Sequence, residues 1–96
     1  MDFKIRITKE ALADFEIILD YSWAHFPAVA ERFGNALLNH IELLQRFPRI
    51  GALVPRRRGI RKILHTPVRI YYRIHEDTKV VEILHFGHGS RKNPKF

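Results

Sequence analysis

A chain of 96 residues has room for one domain and one modest core, so a single domain over residues 1–96 is expected. Hydrophobic residues make up 46% and aromatic residues 11%, enough to pack without staples, and the lack of cysteine excludes a disulfide framework or a thiolate zinc site. The net charge of +7 is unevenly spread: residues 1–48 carry five Lys/Arg against seven Asp/Glu, a net of −2, whereas residues 49–96 carry twelve against three, a net of +9. A basic second half attracts phosphate backbones, anionic surfaces or an acidic protein, and charge alone does not choose among them. No apolar run approaches the ~18–20 residues of a membrane span, and Met1-Asp2-Phe3-Lys4 lacks the order of a signal peptide, so a cytoplasmic protein with no membrane partner is expected.

In chain order, Phe3, Ile5 and Ile7 alternate with Lys4, Arg6 and Thr8, the period-two pattern of a short strand with one buried face. Thr8 suits a helix cap with Glu10 in the first turn, and Ala11, Leu12, Phe15, Ile18, Leu19 and Ser22 recur at helical spacing to about Ala24. Pro27 suits the first position of a second helix, whose apolar set Ala30, Phe33, Leu37, Ile41 and Leu44 runs until Pro48 stops it. The stretch from Arg49 to Gly59 reads as a loop carrying Arg56, Arg57 and Arg58. Three strands follow, Ile60–His65, Val68–His75 and Val80–Phe86, with a break at Thr66-Pro67 and a turn at Glu76-Asp77-Thr78. The tail from Gly87 to Phe96 is basic and irregular.

The order β-αα-βββ predicts an α+β fold in which an N-terminal helical hairpin packs on one face of a small, mainly antiparallel twisted sheet. The short connections favour a meander, because parallel neighbours require a crossover. Val68, Ile70, Tyr72 and Ile74 are expected on the helix-covered face. Arg61, Arg69, Tyr71, Arg73 and His75 are expected on the open one. Of the adjacent tyrosines one is then core, and Tyr71 is the one placed to stack on a base.

Several features have plain structural readings. Asp14, Glu16 and Asp20 lie on the polar side of the first helix, where a solvated face is the default, and Trp23 and Phe26 suit packing of the hairpin. His85 and His88 have a spacing that metal pairs use, yet nothing supplies a third ligand, so no metal and no cofactor are expected. A Gly-rich phosphate loop and a Ser/His/Asp order are both missing. The cations do not lie on a recognition helix, which argues against sequence-specific DNA binding by the chain alone.

The stretches "IRITKEALADFEIILDY", "LLQRFPRIG", "GIRKIL", "VRIYYRI" and "VVEILHFGHGSR", in this order and spacing, resemble the RelE/ParE superfamily of bacterial toxins over nearly the whole chain. The resemblance implies a type II toxin–antitoxin toxin whose acidic antitoxin wraps it, covering its basic face and partly pairing with its sheet. It also implies one of two activities. RelE-like members resemble ribosome-dependent mRNA endonucleases, and ParE-like members resemble poisons of DNA gyrase. RNA cleavage without a metal requires a base, fixed cations and an acid around one phosphate.

The phosphate-contacting arginine of RelE-like members is matched by Arg69, and the first of two strand lysines aligns with Arg61. The second lysine falls at or near Ile63. The family's later lysine and arginine fall on His88 and Gly89, and its terminal tyrosine has no match in Lys95-Phe96. The segment from Ile83 to Arg91 is closer to the ParE-like ending, and the resemblance therefore favours the gyrase-directed branch. Ribosome-dependent cleavage of mRNA, using Arg61, Arg69, His88 and Arg91, is the alternative, with His65, His85 and His88 brought together at one end of the sheet. A degenerate module that only binds its acidic partner is a third reading. In the gyrase and interaction readings, Arg56, Arg57, Arg58, Arg61, Arg69, Tyr71 and Arg73 form the antitoxin- or target-binding surface.

Overall fold

The computed structural model describes residues 2–25 and 27–88. Strand β1 (Lys4–Ile7) is followed by helices α1 (Lys9–His25) and α2 (Pro27–Glu42), then by strands β2 (Ala52–Leu53), β3 (Ile60–His65), β4 (Val68–His75) and β5 (Val80–His88). The five strands form one sheet in the order β1-β5-β4-β3-β2. From β2 to β5 every pairing is antiparallel, as the short connections predict. β1 instead pairs with β5 in parallel, with Ile5 opposite Val81 and Ile7 opposite Ile83. The helical hairpin and the meander carry the chain from one edge to the other, which is the crossover a parallel pair requires.

Two boundaries differ from the sequence expectation. Helix α2 ends at Glu42 and tightens into a 3-10 turn over Leu43–Gln45 before Pro48 is reached. Strand β5 continues past Phe86 to His88. β2 is an addition: Ala52 and Leu53 pair with Lys62 and Arg61, converting part of the expected loop into a hairpin with β3.

Thr8 caps α1 as its position suggested. Its hydroxyl oxygen accepts from the Ala11 amide at 3.1 Å and donates towards the Ile83 carbonyl at 2.9 Å, so one side chain both starts the helix and ties it to β5. The main core lies between the hairpin and the sheet. Ala11 and Ile18 of α1 and Leu37 and Ile41 of α2, with Leu44 just beyond it, meet Ile63, Val68, Ile70, Tyr72, Val81, Ile83 and Phe86. In the helices and in β4 these residues follow the apolar periodicity of their segment, and in β5 a register shift opposite Tyr71/Tyr72 brings Phe86 onto the same helix-covered face as Val81 and Ile83. Trp23 and Phe26, expected as hairpin packing, lie outside the residues whose side chains are described.

Candidate functional site

Opposite residues of an antiparallel pair point to the same face, so the β3–β4 register assigns the faces. Ile63 pairs with Ile70, Arg61 with Tyr72 and His65 with Val68, all on the helix side. Ile60 pairs with Arg73, Lys62 with Tyr71 and Leu64 with Arg69, all on the other side. Arg69 and Arg73 therefore occupy the face away from the helices, as expected, and Lys62 joins them. Arg6 of β1 and Glu82 of β5, neighbours in the parallel register, extend the same face.

Arg61 does not belong to that face. It shares β3 parity with Ile63, and its guanidinium donates to the Gly51 carbonyl at 2.8 Å and towards that of Arg49 at 3.4 Å. There it secures the segment between α2 and β2. Tyr72 reinforces the same segment from inside: its hydroxyl donates to the Pro48 carbonyl at 2.6 Å and accepts from the Gly51 amide at 2.9 Å. Burial pushes the Tyr72 phenol above its ordinary pKa. A Cβ at Gly51 would lie 2.6 Å from that hydroxyl and 2.9 Å from the Lys62 carbonyl, so this close approach requires glycine.

The sheet face opposite the helices is not simply open. Tyr71 is 0% exposed, packed with Val54 and Ile60 in a small second core against which Leu84 leans. Val54, one step beyond β2, continues the pairing with β3, its amide donating to the Ile60 carbonyl at 2.8 Å. Tyr71 thus has no accessible ring to stack on a base, contrary to the sequence expectation. Its hydroxyl accepts from Arg69 Nε at 3.1 Å. Gly87, opposite Arg69 on β5, leaves room for this arrangement: a Cβ there would stand 3.1 Å from the guanidinium and 3.3 Å from the Tyr71 ring. A buried tyrosine and a glycine together seat Arg69 at one position on the face.

Arg56, Arg57 and Arg58 are exposed on the β2–β3 hairpin beside this second core, with Arg56 at φ 62°. At the far end of the face, Glu82 accepts from Arg6 at 3.1 Å and from His75 at 3.0 Å. These two bonds, that of His75 first, hold the Glu82 carboxyl below the usual carboxylate range. A depressed carboxylate contributes stability that is complete above its ordinary value of about 4.3 and is lost as pH falls through the lower folded value. Glu82→Gln is expected to cost about 0.2–1 kcal/mol at neutral pH, because Arg6 is largely exposed. Urea titrations in acid should show parent and variant converging below about pH 4.3; a constant offset down to the lowest pH would reject this assignment.

Of the three histidines expected together, His65 and His85 stand on opposite faces of the sheet. His65 lies on the helix side, where its Nδ1 is 2.9 Å from Nδ1 of His40 on α2, and burial followed by His40 holds its imidazole below the ordinary value. His85 stands opposite Tyr71, with Nδ1 donating to Asp14 Oδ2 of α1 at 3.0 Å. Asp14 also accepts from the Phe86 amide at 3.1 Å, so it serves the edge of β5 beyond β1 and is more than part of a solvated helix face. The His88 side chain and Arg91 lie outside the described residues. Among the described residues no cluster of three or more His, Cys, Asp or Glu could hold a metal, and no helix is long and apolar enough to cross a membrane.

Lys62 was missed because β3 does not alternate: Ile60 and Ile63 are three apart and face opposite sides. The signal for Lys62 was parity with respect to Ile63. The His40–His65 and Asp14–His85 pairs link residues 25 and 71 positions apart, and no local pattern announces them.

This architecture recurs in solved structures. A chromosomal ParDE toxin–antitoxin system from P. aeruginosa contains a chain that is 23% identical, with 92% of this chain and 97% of that one covered and a TM-score of 0.76. The RelBE2 toxin–antitoxin complex of Mycobacterium tuberculosis gives 23% identity, coverage of 92% and 99%, and a TM-score of 0.65. The intact RelBE complex of E. coli gives 19%, 93% and 99%, and 0.59. Likeness at this identity establishes the fold. No curated protein matches the chain. The sequence model for the ParE toxin of the type II toxin–antitoxin system parDE matches residues 5–93, from the first strand through the last. Over that span the chain belongs to the ParE toxin family of type II toxin–antitoxin systems.

Proposed function

We propose that this toxin arrests growth in the cytoplasm by acting on DNA gyrase, and that a cognate acidic antitoxin neutralises it by covering the sheet face and the β2 edge. The observation that favours gyrase over RNA cleavage is the row containing Arg69. Its cross-strand neighbours are Leu64 and Gly87, neither of which transfers a proton, and Tyr71 beneath it is buried. The resemblance to ParE-like members supplies the target. For the antitoxin, Arg69, Arg73 and Arg56–Arg58 offer the positive field, with Lys62 beside them, while Arg61 acts by holding the loop. Apolar surface at the β2 edge adds to this: Phe47, Ile50 and Leu53 are 56%, 59% and 61% exposed, among Arg46 and Arg49. An extended segment carrying both acidic and apolar side chains complements such a surface.

Purified protein added to a gyrase supercoiling reaction should inhibit it at micromolar concentration and trap cleaved DNA, and prior addition of the antitoxin should restore activity. An unaffected reaction would sink the reading. Ribosome-dependent cleavage stands as a second reading on one observation, the orientation of the His85 ring by Asp14. Toeprinting of mRNA after induction distinguishes it, since intact transcripts reject the nuclease.

A further inference from the structure

On the helix side of the sheet, away from the proposed interaction surface, His40 in the last turn of α2 and His65 at the end of β3 turn the same ring nitrogen towards each other. Their Nδ1 atoms are 2.9 Å apart, with ring centroids 5.1 Å apart and planes inclined by 58°. The Phe33 ring stands 5.8 Å from that of His65 and packs against one side of the pair. Between neutral imidazoles such a contact needs one Nδ1–H donor and one Nδ1 lone pair. Two different elements thus hold these two Nδ1 atoms within one hydrogen-bond length of each other. We infer that His40 and His65 form a two-imidazole site for a divalent transition-metal ion of the Zn2+, Ni2+ or Cu2+ class, which links α2 to β3.

A tetrahedral ion with metal–nitrogen bonds of ~2.0–2.1 Å places its two ligand nitrogens about 3.3 Å apart. The rings need to separate by only about 0.4 Å to reach that spacing from the 2.9 Å observed. On binding, the ring that carried its proton on Nδ1 carries it on Nε2, so both rings remain neutral and no proton is released. Among the described residues no third His, Cys, Asp or Glu joins the pair. Imidazole ligands select the borderline transition metals over Mg2+ and Ca2+, which prefer oxygen. An ion held by the folded arrangement stabilises it by mass action.

The test uses the full, untagged chain, stripped with a chelator and titrated with Zn2+ by calorimetry, with parallel thermal melts. The parent should bind Zn2+ and melt at a higher temperature in its presence, and Mg2+ should do neither. His40→Gln and His65→Gln should each weaken binding at least tenfold and abolish the melting shift, whereas a His75→Gln/His85→Gln double variant should retain both. Undiminished Zn2+ binding in His40→Gln and His65→Gln, or equal binding of Mg2+, would overturn the site. Nitrogen-15 spectra of the parent histidines check the assignment without any variant: Zn2+ should move two Nδ1 resonances, and movement of Nε2 resonances alone would also overturn it.

Discussion

Tyr72→Ala is expected to remove about 3–5 kcal/mol of stability, the range for truncating a large buried aromatic. That is a major share of the about 5–15 kcal/mol that holds a domain of this kind. Tyr72 is fully buried at the centre of the sheet, and its hydroxyl is the interior anchor of the segment from Pro48 to Gly51. Tyr72→Phe separates the two roles. It keeps the ring but leaves the Gly51 amide and the Pro48 carbonyl without that partner, a loss of about 1–3 kcal/mol. Urea unfolding of the three proteins should rank parent, Phe and Ala in falling midpoint with similar slopes. A Phe variant as stable as the parent would show that the hydroxyl anchors nothing.

Arg69→Glu is expected to weaken binding of the antitoxin by roughly 30–1000-fold, the range for loss of a central charged anchor worth about 2–4 kcal/mol. The same change should relieve growth arrest when the toxin is induced alone. Arg61→Ala should behave differently. Its cost is about 0.5–1.5 kcal/mol of stability, from the bonds to the Gly51 and Arg49 carbonyls. Once folded, that variant should keep most of its affinity. Calorimetric binding and melting curves measured on both variants separate the effects, and equal losses of affinity would contradict the division between a face arginine and a loop-holding arginine. On sequence alone the two residues stand as equivalent members of one surface.

That difference shows where legibility ended. β4 was readable because Val68, Ile70, Tyr72 and Ile74 alternate with Arg69, Tyr71 and Arg73, so one face follows from the pleat. β3 was not, because Ile60-Arg61-Lys62-Ile63 contains an apolar step of three and admits either parity; the pairing with β4 decided it. The burial of Tyr71 was hidden for another reason. It depends on Val54, seventeen positions earlier, which lines up beside Ile60 and Tyr71 from a segment rich in Pro, Gly and Arg that reads locally as loop. Asp14 has the same character: on a helical wheel it is one of three acidic residues on a polar side, and only the place where β1 stops exposes the β5 amide that it serves.

By itself the sequence determined the helical hairpin, three strands with their boundaries to within two residues, the helix cap at Thr8 and the concentration of positive charge after residue 48. These follow from interactions between near neighbours: periodicity, capping and composition. The tertiary structure alone decided that β1 runs parallel to β5, that Arg61 faces the helices and Lys62 faces away, that Tyr71 is sealed beneath Arg69, and that His40 meets His65. Each of these depends on register and on the packing of residues distant in the chain, and a one-residue change of pairing would send every side chain of a strand to the opposite face. Of the basic second half, Arg69, Arg73 and Lys62 thereby share one face of the sheet while Arg61 is turned to the other.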